Sequence, residues 1–161
     1  MKECWGETTL RKALDDYKTV YMPYRNFAYR TRVEYLNDLE DLVEFLDRSG
    51  LHKVENLEIP QIESYLAGLE SRGFADITRK RKTITIRSFL KFLYEDGYIS
   101  SNITKQLIPP FVDSKQPAYL TEVQYNRLRK VCFSNIRDSA IAELLLQTAI
   151  KLSELTRLAS L

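Results

Sequence analysis

Six basic residues lie close together in the stretch from Asp76 to Tyr94, and Asp76 is the only acid that accompanies them. A solvated helix surface normally mixes charges of both signs. A one-sided cluster of this kind instead favours contact with an anion, and a nucleic acid is the anion that fits it best. The basic residues are Arg79, Lys80, Arg81, Lys82, Arg87 and Lys91.

The same stretch has the apolar spacing of a helix that packs against a core. Extended towards its start, the apolar stripe meets Lys82 and Arg79. A core cannot hold unpaired cations without a desolvation cost of roughly several kcal/mol each. We therefore expect the first turns of this helix to project beyond the packed bundle and to face the anion. The stripe consists of Ile86, Phe89, Leu90 and Leu93.

A second group of cations surrounds the predicted start of an earlier helix. Arg25, Arg30 and Arg32 lie within eight residues of one another. The exposed N–H groups and the dipole of a helix start already favour a phosphate there. Arginines that are merely solvated at a helix end are an equally open interpretation of this second group.

Composition excludes several classes of protein. The net charge of the 161 residues is only +2, because six acids and no base between Glu34 and Asp47 offset the basic stretch. Cys4 and Cys132 are far apart and lack metal-ligand spacing, which indicates a reducing cytoplasm and no metal or cofactor. The chain has no apolar run long enough for a membrane span and no apolar signal core. We expect neither a membrane nor a small-molecule partner.

Apolar residues recur at helical spacing nearly throughout, which predicts an all-α fold. A first helix from about Leu10 should end at Pro23. A second, from about residue 27 to 48 with its acids outward, should end before Gly50. A third should open at Pro60 and a fourth should end near Gly97. Together they predict a helical domain at residues 1–108.

Prolines mark a boundary after this domain. Pro109, Pro110 and Pro117 lie among polar residues that resist helix and strand alike, which indicates a linker at residues 109–120. Thr121 and Gln124 then form a predicted capping box. Residues 121–161 hold three amphipathic helices, near the lower limit for an independent core, and we expect them to be the helical opening of a larger second domain.

Several segments resemble the N-terminal core-binding domain of tyrosine recombinases, the phage integrase family, in order and spacing. The segment Leu145–Leu155 resembles the one that carries the family's first catalytic arginine. The resemblance covers nearly the whole chain from Thr9. The other segments are Thr31, Tyr35, Asp38, Leu39, Leu42, Phe45 and Leu46 in the second helix, Arg87–Leu93 in the fourth, Gly97–Ile99 with Ser101 and Asn102, and Leu120–Thr121 after the linker.

This resemblance implies a SAM-like orthogonal bundle of four to five helices that closes around duplex DNA together with a catalytic domain. Its second and fourth helices would face the major groove, and these are the helices that carry the two basic groups. The implied function is DNA binding in site-specific integration and recombination. The predicted DNA-binding residues are Arg25, Arg30, Thr31, Arg32, Thr78, Arg79, Lys80, Arg81, Lys82, Arg87 and Lys91.

The sequence departs from the family where chemistry is concerned. The family's Thr-Gly-Leu-Arg pattern is Thr148-Ala149-Ile150-Lys151 here, and lysine lacks the planar fork with which arginine holds two phosphate oxygens. His52 is the only histidine, and all ten tyrosines lie at or before Tyr125, so none matches the family's nucleophile. We expect these 161 residues to bind DNA without transferring strands.

Two other hypotheses remain. The chain could be an interaction module that pairs with itself or with full-length recombinase protomers through exposed leucine faces between Ile141 and Leu158. It could also be an enzyme that another chain completes. DNA binding at several salt concentrations separates the first hypothesis from these two.

Overall fold

The computed structural model describes residues 8–113 and 118–158, and its regular elements are helices apart from one isolated bridge between Thr9 and Lys53. The predicted all-α fold is therefore confirmed. The chain divides into two compact units, at Met1–Asp113 and Ser114–Leu161. None of the described helices is long and apolar enough to cross a membrane.

The first unit begins with a helical stretch that contains a wider turn. Helix α1 (Leu10–Asp16) is capped by Thr9, whose hydroxyl accepts a bond of 3.2 Å from the Lys12 amide. A π-helical turn (Tyr17–Tyr21) leads into the short α2 (Met22–Tyr24). The prediction that Pro23 ends the helix is wrong by a residue. In an α-helix the Pro23 ring would crowd the carbonyl of Thr19, four residues earlier, and Thr19 lies in the wider π-helical turn.

Three longer helices complete the first unit: α3 (Tyr29–Arg48), α4 (Ile59–Ser71) and α5 (Asp76–Glu95). Pro60 lies in the first turn of α4, as predicted. Gly50 and Gly97 follow α3 and α5 with φ angles of 77° and 81°, a region that glycine adopts without steric cost. The predicted stops of both helices are confirmed.

The core lies where α1, α3, α4 and α5 meet. The predicted stripe of the fourth helix is confirmed, since Ile86, Phe89, Leu90 and Leu93 are each at most 1% exposed. Aromatic rings fill the space between α5 and the first helical stretch. Tyr17 packs edge-on against Phe89 with 5.4 Å between ring centroids, and its hydroxyl lies 2.8 Å from the Ser88 hydroxyl. The burial of α5 fixes which of its side chains can face outward.

The second unit contains α6 (Glu122–Cys132), α7 (Ile136–Thr148) and α8 (Leu152–Leu158). The predicted capping box is present, with bonds between Thr121 and Gln124 in both directions. Among the described residues of these three helices, none is buried. This agrees with the small size of the unit, because about 40 residues cannot enclose much apolar surface.

Candidate nucleic-acid interface

Helix α5 carries its cations on two different faces. Side chains three or four residues apart share a face of an α-helix. The face that contains Lys82 continues into the buried Ile86 and Phe89. The opposite, outer face carries the stripe Ile77, Lys80, Ile84, Arg87 and Lys91.

Lys82 lies inside the bundle, and its side chain is only 7% exposed. Its ammonium is 3.2 Å from Asp38 Oδ1 and 3.0 Å from Asp41 Oδ2, and it also donates to the Tyr65 hydroxyl at 3.3 Å. The expectation that Lys82 projects beyond the packed bundle is therefore wrong. Its premise, an unpaired cation, fails because α3 supplies two carboxylates.

The acids of α3 do not all point outward, which corrects a second expectation. Asp38 is 3% exposed and accepts bonds from Arg81 and, at 3.2 Å, from Thr85. Its position between Tyr35 and Leu42 places it on the apolar face of α3, so helical spacing alone could have revealed its burial.

Asp41 lies at the edge of the core and belongs to the same network of hydrogen bonds and ion pairs as Lys82 and Asp38, which we call the internal network. Its carboxylate accepts bonds from Tyr65 at 2.7 Å and from Arg72 at 2.9 Å, in addition to the one from Lys82. Burial opposes ionisation of Asp41, but these three hydrogen bonds outweigh it and lower the pKa of the carboxyl to about 2. Burial, followed by the bond to Asp41, raises the pKa of Tyr65. The network thus holds α3, α4 and α5 together.

Two more cations of α5 are engaged within the protein. Arg79 is 2.9 Å from Glu70 and 2.7 Å from Asp76, and its side chain is 21% exposed. The expectation that Arg79 projects beyond the bundle is therefore also wrong. Arg81 pairs with Asp38 and lies 3.5 Å from Glu34. Because these acids partly neutralise the charges of Arg79 and Arg81, the two arginines attract an anionic ligand less strongly.

The cations of the outer stripe face solvent. Lys80 and Arg87 are partly exposed, and neither has an ion pair with any residue that the structure describes. Lys91 is exposed and lies 3.6 Å from Glu95, a weak surface pair. Beside Lys80, Ile77 and Ile84 line a groove of about 500 Å³ together with Tyr35 from α3.

The start of α3 contributes a second set of cations. Arg30 is exposed and forms no ion pair within the described ranges. The Ala28 cap makes no side-chain hydrogen bond to the first turn, so no side chain competes for its amides. Arg32 Nε donates to the Phe27 carbonyl at 2.7 Å, and Arg25 lies 3.0 Å from Glu95. Arg30 is thus the freest of the three arginines.

The start of α3 and the outer side of α5 lie next to each other. Arg25, Asn26 and Phe27 line one shallow groove with Ser88 and Lys91. The Phe27 ring lies 5.8 Å from the ring of Tyr35, which lines the groove beside Lys80. We call this area, together with Arg30 in the first turn of α3 and Arg87 on the outer stripe, the outer basic surface. It consists of Arg25, Arg30, Tyr35, Ile77, Lys80, Ile84, Arg87 and Lys91.

The structure thus divides the eleven predicted DNA-binding residues into groups. Arg81 and Lys82 pair with the buried Asp38, and Arg79 pairs with the exposed Glu70 and Asp76. Arg25 and Lys91 share Glu95 at the surface, Arg32 bonds to a backbone carbonyl, and Thr31 and Thr78 are half-buried. Sequence reasoning missed Tyr35, Ile77 and Ile84, although helical spacing places both isoleucines on the same face as Lys80 and Arg87. Among the eleven, the cations with neither an ion pair nor a side-chain hydrogen bond in the described chain are Arg30, Lys80 and Arg87.

Of the residues considered for catalysis, Lys151 lies in the second unit and His52 in the first. Lys151 is exposed directly before α8, and its amide donates to Glu154 at 2.9 Å. His52 is exposed, with Nδ1 2.9 Å from Asp47. Within the described residues, no cluster of three or more histidine, cysteine or acidic side chains could hold a metal ion.

Comparison with known proteins agrees with the resemblance seen in the sequence. Residues 14–97 match the family described as phage integrase, N-terminal SAM-like domain. The chain is 32% identical over 139 residues to the tyrosine recombinase XerC of Roseiflexus castenholzii, which covers 83% of this chain and 44% of the relative. It is 29% identical over 156 residues to the tyrosine recombinase XerD of Agrobacterium fabrum, covering 90% and 47% respectively. The chain thus spans somewhat less than half the length of these relatives. No solved structure matches it significantly.

Proposed function

Because the chain belongs to the tyrosine recombinase family, with the family's SAM-like core-binding domain in its first unit, we propose that it binds duplex DNA through the outer basic surface. The observation that carries the proposal is the outer stripe of α5, where Lys80 and Arg87 point away from the core without an ion pair in the described chain. Phosphates are the ligands for which such cations are best suited.

The contacts follow from the two helices that form the surface. The outer face of α5 supplies Lys80, Arg87 and Lys91, and the start of α3 supplies Arg30 together with first-turn amides that favour an anion. Phosphate contacts fix the orientation of a protein on a duplex and carry no sequence information directly. In a longer recombinase, this unit would hold the duplex in place for recombination at a particular site.

Salt dependence tests the proposal most simply. Duplex binding, followed by fluorescence anisotropy, should weaken steeply as salt rises, with a slope of log affinity against log salt of about −0.9 for each neutralised phosphate. Three to four free cations therefore correspond to a slope of about −3. Affinity that does not depend on salt, or no binding at low salt, would contradict DNA binding by this surface.

We further propose that binding is the only DNA activity of these 161 residues. Strand transfer needs a nucleophile and a charged cradle around the phosphate, and Lys151 is the single residue here that matches a position of the family's cradle. Incubation with a nicked duplex should give no adduct that survives denaturation, and Lys151→Arg should not change this. An adduct that disappears when one tyrosine is changed to Phe would overturn this second proposal.

A second candidate function is pairing with another recombinase protomer. The observation that favours it is the exposed apolar surface of the second unit, where Val131 is 74% and Leu152 is 68% exposed. Exposed apolar patches often mark contacts with other proteins. Sedimentation of the chain without DNA over a range of concentrations tests this candidate, since pairing through the second unit would appear as a dimer that Leu152→Glu weakens.

A further inference from the structure

Two isoleucines lie among the free cations of the outer stripe of α5. Ile77 is 62% exposed and Ile84 is 42% exposed. Each precedes a cation by three residues, Lys80 in one case and Arg87 in the other, so the four side chains follow one another along the same face. A single exposed isoleucine on a protein surface is ordinary. Two isoleucines that are aligned with unpaired cations instead form an apolar strip within a cationic face of the helix.

The strip also has a defined shape. Ile77 and Ile84 line one groove with Tyr35, and Lys80 and Arg81 lie at the same groove. Lys80, the unpaired cation at this groove, attracts a polyanion, while the isoleucines add apolar surface that a phosphate cannot use. The occupant must therefore present apolar groups next to phosphates.

The major groove of DNA has this combination. Phosphates line its edges, and the C5-methyl group of thymine is the apolar group that base pairs present within it. Ile77 and Ile84 are seven positions apart, which corresponds to a rise of about 10 Å along the helix, roughly the rise of three base pairs. One duplex could thus meet both isoleucines while its phosphates meet Lys80 and Arg87.

We propose that Ile77 and Ile84 contact thymine methyl groups in the major groove and give the outer basic surface a preference for thymine-containing DNA. This inference rests on the proposed function, because it assumes that α5 faces a duplex. It adds that the apolar residues of the stripe, rather than its cations, sense the bases.

The test compares two duplexes that differ only in methyl groups. Alternating dA·dT and dA·dU duplexes of equal length have the same charge, but uracil lacks the C5-methyl. Wild-type protein should bind the thymine duplex more tightly, by about fourfold for each methyl that becomes fully buried. The Ile77→Ala/Ile84→Ala variant should bind both duplexes as the wild type binds the uracil duplex. A thermal melt confirms that this surface variant remains folded.

Val20→Ala is the matched control, because Val20 is also 62% exposed on a helical stretch but lies outside both grooves. It should keep the wild-type preference for thymine. Equal binding of both duplexes by the wild type, with the expected salt slope, would overturn the methyl contacts and leave the proposed function standing. A thymine preference that persists in the double variant would also overturn them. No binding to either duplex at low salt would refute the proposed function itself.

Discussion

The two faces of α5 carry similar charge and use it differently. On the inner side, Lys82 is enclosed by Asp38 and Asp41, and its charge holds helices together. On the outer side, Lys80 and Arg87 have no ion pair in the described part of the chain and keep their charge for a ligand. Counting basic residues along a helix therefore does not count its DNA contacts. A basic residue stays available to DNA only when no neighbouring helix places a carboxylate within reach of it.

The largest effect should come from removing the inner charge. Lys82→Met keeps an apolar side chain of similar length but leaves two acids short of a partner in a buried setting, which should destabilise the first unit by about 3–5 kcal/mol. Urea unfolding measures this loss. Lys80→Met, on the outer face of the same helix, is the control and should change stability by less than about 0.5 kcal/mol. Similar losses for both variants would abolish the distinction between the faces.

Truncation of an apolar residue on the inner face should cost slightly less. Leu90 is fully buried, and Leu90→Ala removes its contacts and leaves a cavity, for a loss of about 3 kcal/mol. Ile77→Ala, on the exposed face, should leave the urea midpoint nearly unchanged. If Leu90→Ala unfolds at the same urea concentration as wild type, the helical phase of α5 is wrong.

Acid should weaken the inner network by a smaller amount. The pKa of Asp41 is lowered from 3.8 to about 2 in the folded protein, so the folded state binds fewer protons than the unfolded state between these values. The associated stability is complete above about pH 4 and is lost as pH falls through 2, by about 2 kcal/mol in all. Urea titrations across this range measure it. In Asp41→Asn this part of the pH dependence should disappear; its persistence there would assign it to other acids.

Sequence periodicity predicted the helices and the apolar stripe of α5, because both depend on spacing within one segment. It could not pair Lys82 with Asp41, since that contact joins residues 41 positions apart and depends on how α3 crosses α5. Asp38 was closer to being predictable, as it lies on the apolar face of its own helix. The sequence therefore identified the cations of the site. Which of them pair within the protein and which face solvent could be seen only once the packing of the helices was known.

The smallest effect should come from Lys91, whose charge Glu95 already offsets in part at 3.6 Å. Lys91→Gln should reduce the salt slope of DNA binding by less than the 0.9 or so expected for one free cation. Arg87→Gln, one turn earlier on the same stripe, is the comparison and should reduce it by about 0.9. Equal reductions would show that the pair with Glu95 does not persist in solution.

The central claim is that the unpaired cations of the outer stripe bind the duplex, and one measurement tests it directly. The salt slope of DNA binding is compared between wild type and Lys80→Gln/Arg87→Gln, which removes two charges without breaking an ion pair of the described structure. The slope should become shallower by about 1.8, the change expected when two fewer phosphates are neutralised. Lys12→Gln/Arg48→Gln removes two charges from exposed pairs elsewhere and should keep the wild-type slope. An unchanged slope in the Lys80/Arg87 variant, or the same loss in both variants, would contradict the claim.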